Sequence, residues 1–324
     1  MDSPPLLLDD SAPVPVDRPF HRTVAVAEGV TDRQLSAWCR DGLLAHPVRG
    51  VYHAAQLPAG IDLRLACLRI VVPEDAVVTD RTAGWLYGAS MVLAPNDHLV
   101  VPRLSMYRPA GYRLRNALTA SGERAFLDDE VVELGGVRVT SVLRTTCDLG
   151  RLRHRESAFC AMEAMARTGA VDLDELREVS GGRRYRGYRW VTNLRDLAPR
   201  VEGKTQSPPE GIILLRWQDC PDLPRPRPQV HVPAPDGRSF YVDVGVEGLR
   251  YGAEYDGVEW HGPERRQHDV DRRGWMTTSR QWEFDIFDKG SLYGRTSDVE
   301  RRLHEGVRAR RLAVGERAWR RLTA

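Results

Sequence analysis

The chain has 324 residues and a formal net charge of +2, with 47 basic and 45 acidic side chains. That length exceeds one ordinary core, so two domains are expected; the near-neutral charge argues neither for nor against a nucleic-acid partner. The five cysteines are scattered with no CxxC pair, which excludes a disulfide framework or zinc site, and no apolar run is long enough to span a membrane, so a cytoplasmic protein with no membrane partner is expected.

Residues 1–22, rich in proline and acid, read as a disordered leader without the basic start of a signal peptide. Residues 23–60 read as a winged helix-turn-helix: Thr31 is a good N-cap for DRQLSAWCRDG, Gly42 ends that helix, and GLLAHPVRGVYHA gives two short strands about Pro47 to Gly50. Such modules serve DNA or protein partners. Residues 61–180 form a mixed α/β region, with helices at IDLRLACLRIV and DRTAGWLYGAS, strands at DAVVT and DHLVVPR, a hairpin signal at Gly135-Gly136, and amphipathic helices after SVLRTTCDLGRL. Residues 181–206 read as a basic and aromatic linker, where Arg183, Arg184 and Arg186 alternate with Tyr185, Tyr188 and Trp190; such a segment either tracks a nucleic-acid backbone or simply joins domains.

The chemistry is concentrated in SFYVDVGVEGLRYGAEYDGVEWHG, residues 239–262. Two β-prone runs joined by Glu247-Gly248-Leu249 predict an antiparallel pair folded about Gly248, with Asp243 opposite the Ala253/Glu254 region and with Glu254 and Asp256 on one face. Carboxylates crowded in this way favour a hard divalent cation, Mg²⁺ or Mn²⁺, over zinc. A solvated acidic edge is the plainer explanation for any one of them. His261 titrates near neutrality and is placed to act as general base or acid. Asp269, Arg272 and Arg273 fall on the next helix, where the arginines can neutralise a phosphate or form surface ion pairs. Upstream, Ser207-Pro208-Pro209-Glu210 opens a helix over GIILLRW with Glu210 at the capping-box position. Lys204 and Lys289 are the only lysines; the arginine preference suits phosphate and guanine contact, and a GC-rich genome produces it equally well.

GVTDRQLSAWCRDGLLAHPVRGVYHA, VVTDRTAGWLYGAS with DHLVVPR, and VTSVLRTTCDLGR, over roughly residues 23–180, resemble the AbiEi-like antitoxins of type IV abortive-infection systems. The resemblance implies a winged-helix DNA-binding regulator with a recognition helix near residues 31–41, carrying Arg33 and Arg40, with Arg49 on the wing and a possible cognate toxin as partner. The order helix, Asp/Glu hairpin, helix over residues 207–324 resembles the PD-(D/E)XK nucleases, and YVDVGV, AEYDG, His261 and HDVDRR resemble the Vsr-like branch. This implies a restriction-endonuclease-like three-layer α/β domain in which Asp243 and Glu254 bind metal and Glu210 lends a further carboxylate. Asp256 stands where the general motif has lysine, and Gln281 precedes Trp282 where these proteins usually show Gly-Trp. The two expectations are a metal-dependent DNA endonuclease and, alternatively, a non-enzymatic regulator or antitoxin on a degenerate nuclease fold.

Overall fold

The computed structural model describes residues 7–89, 92, 103–108, 119–124, 126–234, 237–257, 263–315 and 319, with the backbone alone at 119–123 and 263–269. Its contacts divide into two compact units, Met1–Arg153 with Ala164–Val201, and His154–Glu163 with Glu202–Ala324.

The first unit opens with β1 (Phe20–His21), α1 (Arg22–Ala27), α2 (Asp32–Arg40), β2 (Leu44–Val48) and β3 (Val51–Ala54), the strands pairing in the order β1-β3-β2. Helix α2 starts where the Thr31 hydroxyl accepts the Gln34 N–H at 3.3 Å and the Gln34 side chain accepts the Thr31 N–H at 2.9 Å, a reciprocal cap. Just beyond its end Gly42 takes φ +74°, a conformation that suits glycine. Leu35 of α2 is fully buried with Ala25, Val30, Leu44, Phe20 and Val14. The last two correct the disordered-leader expectation from residue 7 onward: Val14 and Phe20 fill this core, and the Leu8 carbonyl accepts the Gln56 side-chain amide at 2.6 Å. Proline and acid set the composition there, but the few apolar residues between them are enough to dock the segment.

Next come α3 (Ile61–Arg69), β4 (Val77–Val78), α4 (Asp80–Leu86), β5 (Leu104–Arg108), β6 (Thr119–Glu123), β7 (Val131–Leu134), β8 (Val137–Thr140) and α5 (Val142–Leu149). The strands form a mixed sheet in the order β6-β5-β4-β8-β7. Its core joins Leu65 and Leu68 of α3, Ala83 and Leu86 of α4, and Val78, Met106, Val137 and Val139 of the sheet. The strand expected at DHLVVPR lies, but for Arg103, outside the described residues.

Helix α6 (Arg155–Arg167) belongs to the second unit up to Glu163, and α7 (Leu173–Gly181) and α8 (Val191–Leu197) belong to the first. The linker expected at 181–206 is corrected: Tyr185, Leu194, Leu197, Ala198 and Val201 are buried, so the segment up to 201 is folded into the first unit. Tyr185 meets Tyr188 edge-on with ring centroids 5.4 Å apart, and Arg184 pairs with Asp129 at 2.7 Å and Glu130 at 3.2 Å. These side chains are held by protein partners, which is why an interleaved basic and aromatic pattern builds a core edge here. Arg183 and Arg186 are exposed.

That pairing is part of a buried charge network. Arg144, 1% exposed, bonds Glu130 and also Asp148 at 2.9 Å; Arg151 also pairs with Asp148, and Arg124 reaches the same carboxylate at 2.7 Å. Buried charges are tolerable only when paired in this manner.

The second unit contains α9 (Pro208–Gln218), β9 (Arg227–Pro233), β10 (Ser239–Val246), β11 (Tyr251–Tyr255), α10 (Pro263–Arg280), β12 (Glu283–Phe287), α11 (Lys289–Leu292) and α12 (Val299–Val314). Its sheet runs β12-β11-β10-β9, antiparallel except for the parallel β11–β12 pair that α10 connects. The connection from β10 to β11, expected to fold about Gly248, is a 3₁₀ turn over Glu247–Leu249 followed by Arg250 in a left-handed conformation at φ +51°. Trp275 and Met276 of α10 pack with Val230, Val232, Phe240, Val242 and Trp282. Both units therefore combine helices with sheets, and the chain is a mixed α/β protein. Among the described residues no helix is long and apolar enough to cross a membrane.

Removing one partner from a buried ion pair typically costs about 3–5 kcal/mol, because it strands the opposite charge. Arg144→Ala is expected to lower the stability of the first unit by about 3 kcal/mol, towards the lower end because Arg124, Arg151 and Arg184 still serve Glu130 and Asp148. Urea unfolding followed by circular dichroism measures this; a loss below about 1 kcal/mol would show that the network carries little stability.

Candidate active site

Strand β10 carries Asp243, and β11 carries Glu254 in a register that pairs Val244 with Ala253 and thus sets the two carboxylates opposite each other. On the other side of β10, Val242 pairs with Val230 and Val244 with Pro228, so Gln229 of β9 faces Asp243. Gln229 has φ +51°, a left-handed conformation within a strand that a side chain adopts only under local constraint.

Glu210 arrives from the first turn of α9. Ser207 caps that helix and Pro208 occupies its start. The Glu210 carboxylate accepts the Gln206 N–H at 2.8 Å, the Ser207 hydroxyl at 2.8 Å and the Gln229 side-chain amide at 3.0 Å. Gln206 closes the circuit by donating its own amide to Gln229 Oε1 at 3.1 Å. The capping box expected at Glu210 is only half formed: Ser207 accepts the Glu210 N–H at 3.4 Å, but the Glu210 carboxylate takes the Gln206 N–H and not that of Ser207; it is buried and close enough to act electrostatically on Asp243.

The loop before α9 is fixed by Glu163 of α6. This carboxylate, 1% exposed, accepts four successive backbone N–H groups, from Glu202 at 2.7 Å, Gly203 at 3.1 Å, Lys204 at 3.1 Å and Thr205 at 3.2 Å, and the Thr205 hydroxyl at 3.1 Å. Charge-assisted bonds of this number hold the backbone that delivers Gln206, Ser207 and Glu210.

Burial pushes the Asp243 carboxyl well above the usual carboxylate range, and the negative charges of Glu210 and Glu254 push in the same direction; the Tyr255 N–H, donating to Asp243 Oδ2 at 3.2 Å, and Arg272 oppose them. Glu254 is 2% exposed. Its Oε2 accepts Arg272 Nη2 at 2.7 Å and Arg273 Nη1 at 3.4 Å, whereas its Oε1 is buried with no hydrogen-bond partner. An orphaned buried carboxylate oxygen is costly. Asp256 lies beyond the end of β11, partly exposed, with its backbone N–H on the Phe287 carbonyl and its carboxylate 3.9 Å from Arg273; the expectation that it shares a strand face with Glu254 is corrected, because the strand stops at Tyr255.

The structure thus brings Asp243, Glu254, Glu210, Arg272 and Arg273 together, with Asp256 at the margin. His261 and the side chain of Asp269 lie outside the described residues. In the first unit Arg33 and Arg40 are exposed on α2, seven residues apart and so close to one face, and Arg49 is exposed in the β2–β3 turn. Gln206, Gln229 and Glu163 were not legible as site residues: an uncharged amide and a distant glutamate give no spacing signal until strand register and chain crossing are known.

Among the described residues no group of three or more His, Cys, Asp or Glu side chains stands at metal-holding spacing. The donor chemistry nevertheless fits a hard cation, since crowded carboxyl groups and the Glu254 Oε1 without a hydrogen-bond donor are oxygen ligands. Asp243 and Glu254 are the residues that would hold it.

No known family model matches the chain. Two uncharacterized proteins of Mycobacterium tuberculosis, from strains CDC 1551 / Oshkosh and H37Rv, are each 28% identical to it over 244 residues, covering 75% of this chain and 85% of the relative.

A carboxyl that holds its proton more tightly when folded than when unfolded costs stability progressively as the pH rises from its unfolded value, about 3.9, through its folded one. Asp243→Asn removes that cost. It is expected to melt about 2–4 °C above the wild type at pH 7, the gap closing below about pH 4, with Mg²⁺ or Mn²⁺ raising the melting temperature of the wild type and not of the variant. Thermal melts across pH, with and without cation, check this. A variant less stable than the wild type at pH 7 would mean that Asp243 carries no such cost.

Proposed function

We propose that the second unit is a metal-dependent DNA endonuclease of the PD-(D/E)XK kind, hydrolysing phosphodiester bonds with Mg²⁺ or Mn²⁺ held by Asp243 and Glu254. The observation that carries this reading is the convergence of half-buried Asp243 with buried Glu254 and Glu210, with one Glu254 oxygen lacking a hydrogen-bond partner. Structural carboxylates are ordinarily satisfied by donors, and a carboxylate oxygen left without one beside two further carboxyl groups suits a cation site.

When bound, a divalent cation polarises the phosphate and lowers the pKa of water. The protein's own residues supply the rest. Gln206, Ser207 and Gln229 fix the Glu210 carboxylate, and the Tyr255 N–H fixes Asp243. Arg272 and Arg273, lying against Glu254, put two guanidinium groups where an anionic phosphate would be neutralised, a role that asks for cations fixed in advance of the reaction. On this reading His261 is the acid or base that moves the proton, and Asp256, two positions after Glu254 where the general motif has lysine, orients the margin of the site through Arg273. Arg33, Arg40 and Arg49 would anchor the first unit to phosphates, in the manner of a winged-helix regulator.

A second reading is favoured by two specific observations: Asp256 stands where the resembled motif has lysine, and among the described residues no third His, Cys, Asp or Glu completes a metal-holding group with Asp243 and Glu254. On that reading the protein is a non-enzymatic DNA-binding regulator or antitoxin, with a possible cognate toxin as partner.

Cleavage of supercoiled plasmid with Mg²⁺ or Mn²⁺ separates the two. The nuclease reading expects nicking that a chelator stops and that Asp243→Ala and Glu254→Ala each reduce at least about 100-fold, a loss of roughly 2.7 kcal/mol or more in transition-state stabilisation. Salt-sensitive binding without cleavage, unchanged in both variants, supports the regulator.

A further inference from the structure

We propose that the face of β9 and β10 leading into the carboxylate site is a base-stacking platform centred on Tyr241, and that the substrate lies across it as an unpaired DNA strand. This rests on the nuclease reading and names its substrate class.

Burial alternates over the first half of β10, where Phe240 and Val242 are buried and Ser239 and Tyr241 exposed; Asp243 is half-buried and Val244, Gly245 and Val246 are all buried. The pairing of Tyr241 with His231 and of Ser239 with Pro233 extends the same exposed face onto β9. Among the described residues Tyr241 is the most exposed aromatic side chain, at 48%. An exposed aromatic ring on a strand is a surface on which proteins stack an unpaired nucleobase. The His231 ring lies beside it with centroids 5.2 Å apart, and its Nε2 is 2.9 Å from the Ser239 hydroxyl, which fixes that ring as a second wall.

Two observations tie this face to the chemistry. Tyr241 stands two residues before Asp243, about 7 Å along the strand, so a base stacked on it places a neighbouring phosphate of an extended backbone at the carboxylates. Arg272 bridges the two places, donating Nη1 to the Tyr241 carbonyl at 2.7 Å and Nη2 to Glu254 at 2.7 Å. In a duplex the base faces are already stacked on one another, so only an unpaired base can use the ring.

The test uses the full chain with Ca²⁺, measuring affinity for a labelled single-stranded oligonucleotide and its duplex, together with the fluorescence of 2-aminopurine placed at successive positions. Stacking on one aromatic contributes enough that Tyr241→Ala is expected to weaken single-strand binding about tenfold and duplex binding less than about twofold. Quenching of 2-aminopurine at one position should vanish in Tyr241→Ala and survive in Tyr241→Phe and Tyr241→Trp. The melting temperature of each variant verifies folding. If the wild type cuts DNA but Tyr241→Ala binds the single strand as well as the wild type does, or loses single strand and duplex equally, the platform is wrong and the nuclease stands. If the wild type neither binds nor cuts any DNA, the nuclease reading fails and the platform fails with it.

Discussion

Like charges drawn into a poorly solvated space repel more strongly than they do in water, and the second unit concentrates that repulsion on Asp243. Glu210 and Glu254 bear on it from two different elements, and burial works in the same direction. Everything around the site can be read as holding this arrangement in place. Glu163 fixes the loop before α9, the Ser207 cap and two glutamine amides orient Glu210, and Arg272 with Arg273 offset part of the charge on Glu254. A fold selected only for stability would satisfy both Glu254 oxygens. This one leaves Oε1 without a donor.

The arginine-rich composition takes on a different meaning once the partners are known. Arg144 is sealed inside the first unit with Glu130 and Asp148; in the second, Arg302 pairs with Asp285 at 2.9 Å and Arg310 with Glu283 at 3.1 Å. A planar guanidinium satisfies two carboxylates from within a packed interior more readily than an ammonium group does. A share of the arginines is thus committed to internal pairing, and net charge is a poor guide to the surface available to a polyanion.

Local signals were legible in the sequence, and long-range ones were not. The Thr31 cap, the Gly135-Gly136 hairpin and the Ser207 helix start are decided by a few neighbouring residues, and each was readable. So was the pairing of the Asp243 strand with the Glu254 strand, because a short turn fixes the register. Residues that depend on distant partners were missed. Gln281 shows why: it has φ +60° and accepts Arg250 Nη1 at 2.8 Å, while Arg250 itself has φ +51°. Two non-glycine residues in left-handed conformations are joined by a bond across 31 positions of sequence, which no local pattern announces. The 181–206 segment was misjudged for a related reason, since Tyr185 and Tyr188 meet Arg144 of α5 and Arg151 just beyond it, and Arg184 pairs with Asp129 and Glu130.

Glu163 also bears on how this chain can be divided. The carboxylate sits on α6, about forty residues before the four amides it holds, and the residues between them belong to the other unit. The second unit is therefore discontinuous along the gene. A fragment beginning at residue 202 would carry those four amides without their acceptor, so a single cut there cannot release the second unit with the loop before α9 intact.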